Sequence, residues 1–285
     1  MIALLAFGLA LGTVQPPFAS VDAAAESLRG GATVLDARSR AAFKHGHLPG
    51  AVRIDWEDFR DGWGRTGRLD DDDRRLARKL SALGVDDTRA VLVYGASREG
   101  WGEEGRIDWM LEYLGHREVR ILDGGYEAWR AEGRPTETGA QHPAREGHFT
   151  IRRDASLRAE LVDVKRELGD GKTLLLDART LAEWNGATPY FEARGGHIPG
   201  ARSLEWKELL TADGRVRPGS EIRQRIASVG AGTGTPIVVY CTGGVRSALA
   251  WAALRAAGFR DVRNFDGSFW LWAQHREVPV ETQGR

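Results

Sequence analysis

An internal repeat constrains the fold of this chain more than any other feature of its sequence. Four blocks of the first half return in the same order in the second half, 141 to 150 residues later. A separation of that size is typical of a duplicated domain, because solenoid repeats are only about 20–50 residues long. The pairs are TVLDARSRAAF (33–43) with LLLDARTLAEW (174–184), GHLPGAVRIDW (46–56) with GHIPGARSLEW (196–206), AVLVYGAS (90–97) with PIVVYCTG (236–243), and VRILDGGYEAW (119–129) with VRNFDGSFWLW (262–272).

Each copy alternates short apolar runs with helical stretches. AVLVYG and PIVVYC are nearly continuous runs of apolar residues, which are typical of parallel strands covered on both faces. SALAWAALRAAG predicts a helix that follows the second of them. The sequence therefore predicts an α/β fold made twice, each domain having a central parallel sheet flanked by helices on both faces.

A segment rich in glycine, proline and polar residues separates the two copies at residues 131–150. We place the domain boundary near residue 145, with a first domain at 18–140, a linker at 141–156 and a second domain at 157–285.

Composition excludes several classes of function. The formal net charge is zero and the sequence pI is about 7.1, so nucleic acid and stable membrane association are not expected. One cysteine permits neither an internal disulfide nor a cysteine-based metal cluster. The seven histidines form neither an H-E-x-x-H nor an H-x-x-E-H motif, and we predict no metal and no cofactor.

The first 14 residues, MIALLAFGLALGTV, are apolar but too short to span a bilayer comfortably. Together with the following QPPFAS they fit a secretory signal peptide over residues 1–17, although no lysine or arginine precedes the apolar run. A buried first strand or a start codon assigned too early would also fit. A signal peptide would place the protein in the periplasm or outside the cell. Without one, the protein would be expected in the cytoplasm.

The single cysteine, Cys241, ends the apolar run IVVY, and a helix is predicted to begin near Ser247. Ligands of open α/β sheets bind beyond the carboxyl ends of the strands, where helix N-termini attract anions. The glycines let backbone N–H groups converge on one point, and Arg246 adds a positive charge, so the pKa of the thiol should be lowered. Cys241 is the predicted catalytic residue, and the anion-binding segment that follows it is predicted to be Thr242, Gly243, Gly244, Val245, Arg246 and Ser247; these residues together with Cys241 are hereafter called the cysteine loop.

A cysteine at the end of a strand can also be a small buried apolar residue. The repeat argues against that alternative, because the first copy has Gly95 at the corresponding position. Cysteine phosphatases place the arginine one residue further from the cysteine and usually have a histidine where this chain has Tyr240. The shorter loop fits a terminal sulfur better than a phosphate and favours a cysteine persulfide.

The motifs DAR, GHIPGA, VVYCTGGVRSA and AGFRDVRNFDGS, with the terminal tryptophan, resemble those of tandem-domain rhodaneses, the thiosulfate and 3-mercaptopyruvate sulfurtransferases. The resemblance extends from about residue 18 to residue 280. It implies two rhodanese folds, each with a five-stranded parallel sheet, of which only the second is catalytic. Gly95 and the longer, glutamate-bearing loop GASREGWGEEGR fit an inactive first domain.

The resemblance also implies a ping-pong reaction through a Cys241 persulfide. The sulfur donor would be a small anion, and the acceptor a thiol or cyanide. The sequence GGVRS favours thiosulfate, whereas 3-mercaptopyruvate enzymes more often contain CGSGVT. A cysteine phosphatase and a sulfur-carrier module with little turnover of its own are the alternatives of other classes.

The resemblance implies that Arg246 and Arg179 bind the anionic substrate, and Trp206 is predicted to line the pocket. Arg179 could instead form a structural salt bridge, since the first copy keeps the corresponding Arg38. Many relatives have an arginine at the position of Glu183, and this departure bears on substrates with two anionic groups.

Other paired residues are expected to be structural, because the first copy keeps them without the cysteine. Trp56 occupies the position in the first copy that corresponds to Trp206, so core packing is an alternative role for Trp206. The remaining pairs are His47 with His197 and Asp36 with Asp177.

Overall fold

A computed structural model describes residues 17–62, 64–140 and 145–282 of the chain. The predicted signal peptide lies outside the described residues except for Pro17, and so does part of the predicted linker. No helix in the described ranges combines the length and apolar character that crossing a bilayer requires.

The first domain contains a five-stranded parallel sheet with the strand order β1-β5-β4-β2-β3. Short 3-10 turns at Trp56–Phe59 and Ser97–Glu99 complete it. Its strands and helices are β1 (Phe18–Ala19), α1 (Val21–Arg29), β2 (Thr33–Asp36), α2 (Arg40–His45), β3 (Val52–Arg53), α3 (Asp73–Ala82), β4 (Val91–Tyr94), α4 (Glu103–Tyr113), β5 (Val119–Leu122) and α5 (Gly125–Ala131).

The second domain contains a parallel sheet with the order β7-β6-β8-β9. Short 3-10 turns lie at Ala155–Leu157 and Trp206–Leu209. Its strands and helices are α6 (Leu161–Glu167), β6 (Leu174–Asp177), α7 (Leu181–Trp184), β7 (Arg202–Ser203), α8 (Gly219–Ser228), β8 (Ile237–Tyr240), α9 (Arg246–Ala256), β9 (Val262–Asn264) and α10 (Ser268–Gln274).

Helices cover both faces of each sheet, as the apolar strands predict. Side chains of a strand alternate between the faces. In β8, Val238 packs into a cluster with Trp184 of α7, and Val239 packs on the opposite face with Ile226 of α8. The strands are buried on both sides for this reason, and the predicted fold class is confirmed.

The second sheet differs from the five strands that the resemblance implies. Within the described residues, the place of β1 is taken by Arg158, which forms an isolated parallel bridge to Asn264. A 3-10 turn ends at Leu157 and Glu160 caps α6, so two residues lie between them, and one of them, Arg158, pairs with β9 in a single bridge.

Helices α4 and α9 bring the two domains into direct contact. A Cβ on Gly105 would lie 2.4 Å from Leu249 Cα, so the two helix backbones approach closely only because residue 105 is glycine. One hydrophobic cluster includes residues of both domains around this contact. The packing places α4 of the first domain beside the N-terminus of α9 and the cysteine loop.

Candidate active site

The cysteine loop connects β8 to α9, as predicted. Strand β8 ends at Tyr240, and α9 begins at Arg246. Cys241 is 1% exposed, and the Gly244 N–H donates to its Sγ over 3.1 Å. The Cys241 N–H donates to Ser268 Oγ, also over 3.1 Å. The thiol is thus held at the carboxyl end of a central strand, next to a helix N-terminus.

Both glycines of the loop are required by close contacts. Gly244 has a φ of +76°, and a Cβ there would lie 2.4 Å from the Asp266 carbonyl oxygen. A Cβ on Gly243 would lie 2.5 Å from the ring of Trp270. Residues without side chains therefore let the loop fold tightly enough for its N–H groups to reach the sulfur.

Opposing influences act on the thiol. Burial alone would raise the pKa of Cys241, but the charge of Arg246 and hydrogen bonds from Ser247 and Gly243 lower it below the usual cysteine value. A lowered pKa increases the thiolate fraction at neutral pH, and the thiolate is the nucleophilic form.

Arg246 forms a buried bidentate ion pair with Glu183. Its Nη1 donates to Glu183 Oε2 at 2.8 Å and its Nη2 to Oε1 at 2.7 Å. The Thr242 hydroxyl accepts from Arg246 and donates to Glu183, each over 2.7 Å. Burial would raise the pKa of Glu183, but Arg246, Thr242 and Thr180 lower it to about 2. The predicted anion-binding arginine is therefore already neutralised by a carboxylate of its own chain.

Arg179 forms a second ion pair that leaves it 1% exposed. Its Nε donates to Asp177 Oδ1 at 2.9 Å, and its Nη2 donates to Asp177 Oδ2 and to the Gly196 carbonyl. Arg38 forms the same pair with Asp36 in the first domain. A geometry that recurs without the cysteine supports the structural alternative and argues against the predicted contact of Arg179 with substrate.

Trp206 is 2% exposed and belongs to the hydrophobic core. Trp56, its counterpart in the repeat, packs against the same core, so the structure is in keeping with the core-packing alternative. His197 stacks on Trp184 at 3.5 Å between ring centroids, as His47 does on Phe43 at 3.9 Å, in keeping with the expected structural role.

The corresponding site of the first domain is filled by a carboxyl group. A Cβ on Gly95 would lie 1.9 Å from Glu104 Oε2, so the Glu104 side chain occupies the space above residue 95. Burial and the nearby charge of Glu103 raise the pKa of Glu104 to about 8. This neutral carboxyl group gives a physical reason why the first copy has no room for a thiol.

Gly67 and Arg106 of the first domain contact the cysteine loop, and neither contact was predicted from the sequence. A Cβ on Gly67 would lie 1.9 Å from the Gly243 carbonyl oxygen, and Arg106 Nη1 donates to the Gly244 carbonyl at 3.4 Å. No motif marks either residue. Helices α4 and α9 occupy equivalent positions in the two copies of the repeat. That equivalence is the one sequence signal from which a contact between them could have been suggested.

Comparisons with known proteins decide the family. Residues 20–132 and 160–275 each match the model of the Rhodanese-like domain. The chain belongs to the rhodanese family. This rhodanese is 35% identical over 248 residues to a thiosulfate sulfurtransferase of Corynebacterium glutamicum, an alignment that covers 83% of this chain and 80% of the relative.

Two further proteins show the range of the relatives. The sulfur carrier protein TtuD of Thermus thermophilus is 33% identical over 248 residues, covering 82% of this chain and 85% of the relative. The crystal structure of SseA from Escherichia coli, described as a 3-mercaptopyruvate sulfotransferase, superposes with a TM-score of 0.79 at 27% identity. That superposition covers 89% of this chain and 99% of SseA.

The relatives support sulfurtransferase activity for this rhodanese and imply a sulfur-donor substrate with a thiol or cyanide acceptor. The predicted family and enzyme class are confirmed. The names of the relatives do not agree on one donor.

Proposed function

We propose that this rhodanese transfers the outer sulfur of thiosulfate to a thiol or to cyanide through a persulfide on Cys241. The observation that carries the proposal is the geometry of the cysteine loop: a thiol of lowered pKa, contacted by the Gly244 N–H at 3.1 Å, beside a helix N-terminus. These groups stabilise negative charge on a sulfur atom.

In the first step, the Cys241 thiolate attacks the outer sulfur of thiosulfate. A sulfur–sulfur bond to Cys241 forms, the sulfur–sulfur bond of thiosulfate breaks, and sulfite leaves with its electron pair. In the second step, the acceptor thiolate or cyanide attacks the outer sulfur of the persulfide, and the Cys241 thiolate is regenerated. With one cysteine in the chain, no second thiol can resolve the persulfide internally, so the acceptor must come from outside.

Intact-mass spectrometry after incubation with thiosulfate tests the proposal. The expected result is a gain of one sulfur atom that disappears on addition of cyanide and is missing from Cys241→Ala. Wild-type protein that gains no sulfur from thiosulfate would contradict it.

3-Mercaptopyruvate is the second candidate donor, and the superposition with SseA favours it. Comparison of kcat/KM for the two donors decides between them, and a preference for 3-mercaptopyruvate would overturn thiosulfate. A carrier role, suggested by the similarity to TtuD, predicts a persulfide that forms but turns over slowly with small acceptors. Hydrolysis of an aryl phosphate that is lost in Cys241→Ser would instead support the phosphatase alternative.

A further inference from the structure

Arg106 lies on α4 of the first domain, yet its side chain reaches the cysteine loop of the second. It is 1% exposed. Its Nη2 donates to the Gly67 carbonyl at 2.5 Å, and its Nη1 donates to the Gly244 carbonyl at 3.4 Å. Its guanidinium carbon lies 4.7 Å from the ring centroid of Trp109, which holds the side chain in place.

The hydrogen-bond partners of Arg106 distinguish it from the other buried arginines near the site. Arg246 and Arg179 each form a bidentate pair with a carboxylate. Arg106, in the part of the chain that the structure describes, hydrogen-bonds only to backbone carbonyls. The nearby carboxylate of Asp266 accepts instead from Arg158 Nε at 3.0 Å and from the Leu69 N–H at 2.8 Å.

Burial lowers the pKa of Arg106 to about 10, so it stays charged at neutral pH, and this charge interacts with the Cys241 sulfur. Gly244 connects the two residues. Its N–H faces Cys241 Sγ, while its carbonyl faces Arg106 and also Asn264 Nδ2, which lies 3.4 Å away. A group that holds the Gly244 carbonyl therefore restrains the residue whose N–H contacts the sulfur.

We infer that Arg106 is a positioning residue by which the first domain holds Gly244 against the Cys241 sulfur and adds a positive charge beside it. The inference rests on the proposed function in one respect, that Cys241 carries the transferred sulfur. It gives the domain without a cysteine a direct part in the reaction, beyond covering apolar surface.

The test is the pH dependence of alkylation of Cys241 by iodoacetamide in Arg106→Met, Arg106→Lys and a control. The matched control is Arg255→Met, because Arg255 also forms an ion pair between α4 and α9, with Glu112, but does not contact the loop. We expect Arg106→Met to raise the midpoint of alkylation above that of the wild type, since a positive charge near the thiolate has been removed. Arg255→Met should titrate as the wild type does.

Rates of persulfide formation from thiosulfate distinguish the two effects proposed for Arg106, the positioning of Gly244 and the positive charge near the sulfur. Arg106→Lys keeps the charge but lacks the fork that reaches two carbonyls, so its alkylation midpoint should stay near that of the wild type while persulfide formation slows several-fold. Arg106→Met should lower kcat more than it raises KM. Arg106→Lys also carries the test if Arg106→Met does not fold.

The inference is wrong if Arg106→Met has the stability of Arg255→Met and the alkylation midpoint of the wild type, or if Arg106→Lys forms the persulfide at the wild-type rate. Failure of the proposed function is a separate result. In that case wild-type protein gains no sulfur from thiosulfate, while the alkylation experiment still reports whether Arg106 acts on the thiol.

Discussion

Glu183 and Arg246 face each other through two hydrogen bonds of 2.7 and 2.8 Å, and both side chains are almost fully buried next to Cys241. The pair neutralises the cation that is nearest in sequence to the thiol. An anion that binds Arg246 would have to compete with a carboxylate already in place, so we expect the pair to affect both the stability of the domain and the affinity for a donor.

Removing the charge of Glu183 should strengthen binding of thiosulfate. Glu183→Gln keeps hydrogen-bonding atoms for Thr180 and Thr242 but leaves the charge of Arg246 uncompensated, so KM for thiosulfate should fall about fivefold or more. Steady-state kinetics of thiosulfate:cyanide transfer measure this. Glu208→Gln, which removes a half-exposed carboxylate of the same domain, is the control and should leave KM unchanged. An unchanged or higher KM in Glu183→Gln would show that Arg246 does not act on the donor.

Arg246→Met should lower the free energy of unfolding substantially. As a predicted substrate-binding residue, Arg246 would be expected to affect mainly KM. The structure instead predicts a loss of about 3–5 kcal/mol in the free energy of unfolding, because Glu183 would be left buried without its partner. Urea denaturation measures the loss. Arg217→Met breaks a partly exposed pair with Glu221 and should cost less than about 1 kcal/mol. Equal effects of the two substitutions would contradict the prediction.

The reactivity of Cys241 should report its lowered pKa. Because it is the only cysteine, alkylation of the folded chain follows this one thiol. We expect the midpoint of the rate against pH to lie below that of the same chain unfolded in urea, which should be near the usual value of about 8.5. The thiolate is favoured in the folded state, so this group adds stability as pH rises through its folded pKa. A midpoint equal to or above that of the unfolded chain would contradict the assignment.

Glu104 should destabilise the first domain at neutral and alkaline pH. Its folded pKa of about 8 lies above the ordinary value of 4.5, so the unfolded chain loses this proton before the folded chain does. Stability contributed by the protonated group is present below pH 4.5 and is lost as pH rises to 8, by about 5 kcal/mol at most.

Glu104→Gln removes this titration. It should therefore be more stable than the wild type at pH 8, with a smaller difference at pH 5. Urea unfolding at both pH values measures the difference. Equal differences at pH 5 and pH 8 would show that Glu104 is ionised in the folded protein.

The sequence alone determined the duplicated α/β architecture and the position of the cysteine loop. Both depend on contacts within short segments: apolar runs form buried strands, and glycines after a strand allow a tight turn. β8 and α9 accordingly lie where the repeat and the periodicity predict them. The sequence also shows that the first copy has Gly95 where the second has Cys241, so only the second copy was predicted to be catalytic.

The partners of the charged residues were decided only by the tertiary structure. Glu183 and Arg246 are 63 residues apart, and Arg106 and Gly244 are 138 apart on different domains. A side chain's charge can be read from a sequence, but the group that neutralises it depends on how helices and loops pack in three dimensions. For that reason the sequence could identify Arg246 as a cation of the site but could not show that Glu183 neutralises it or that Arg106 supplies another.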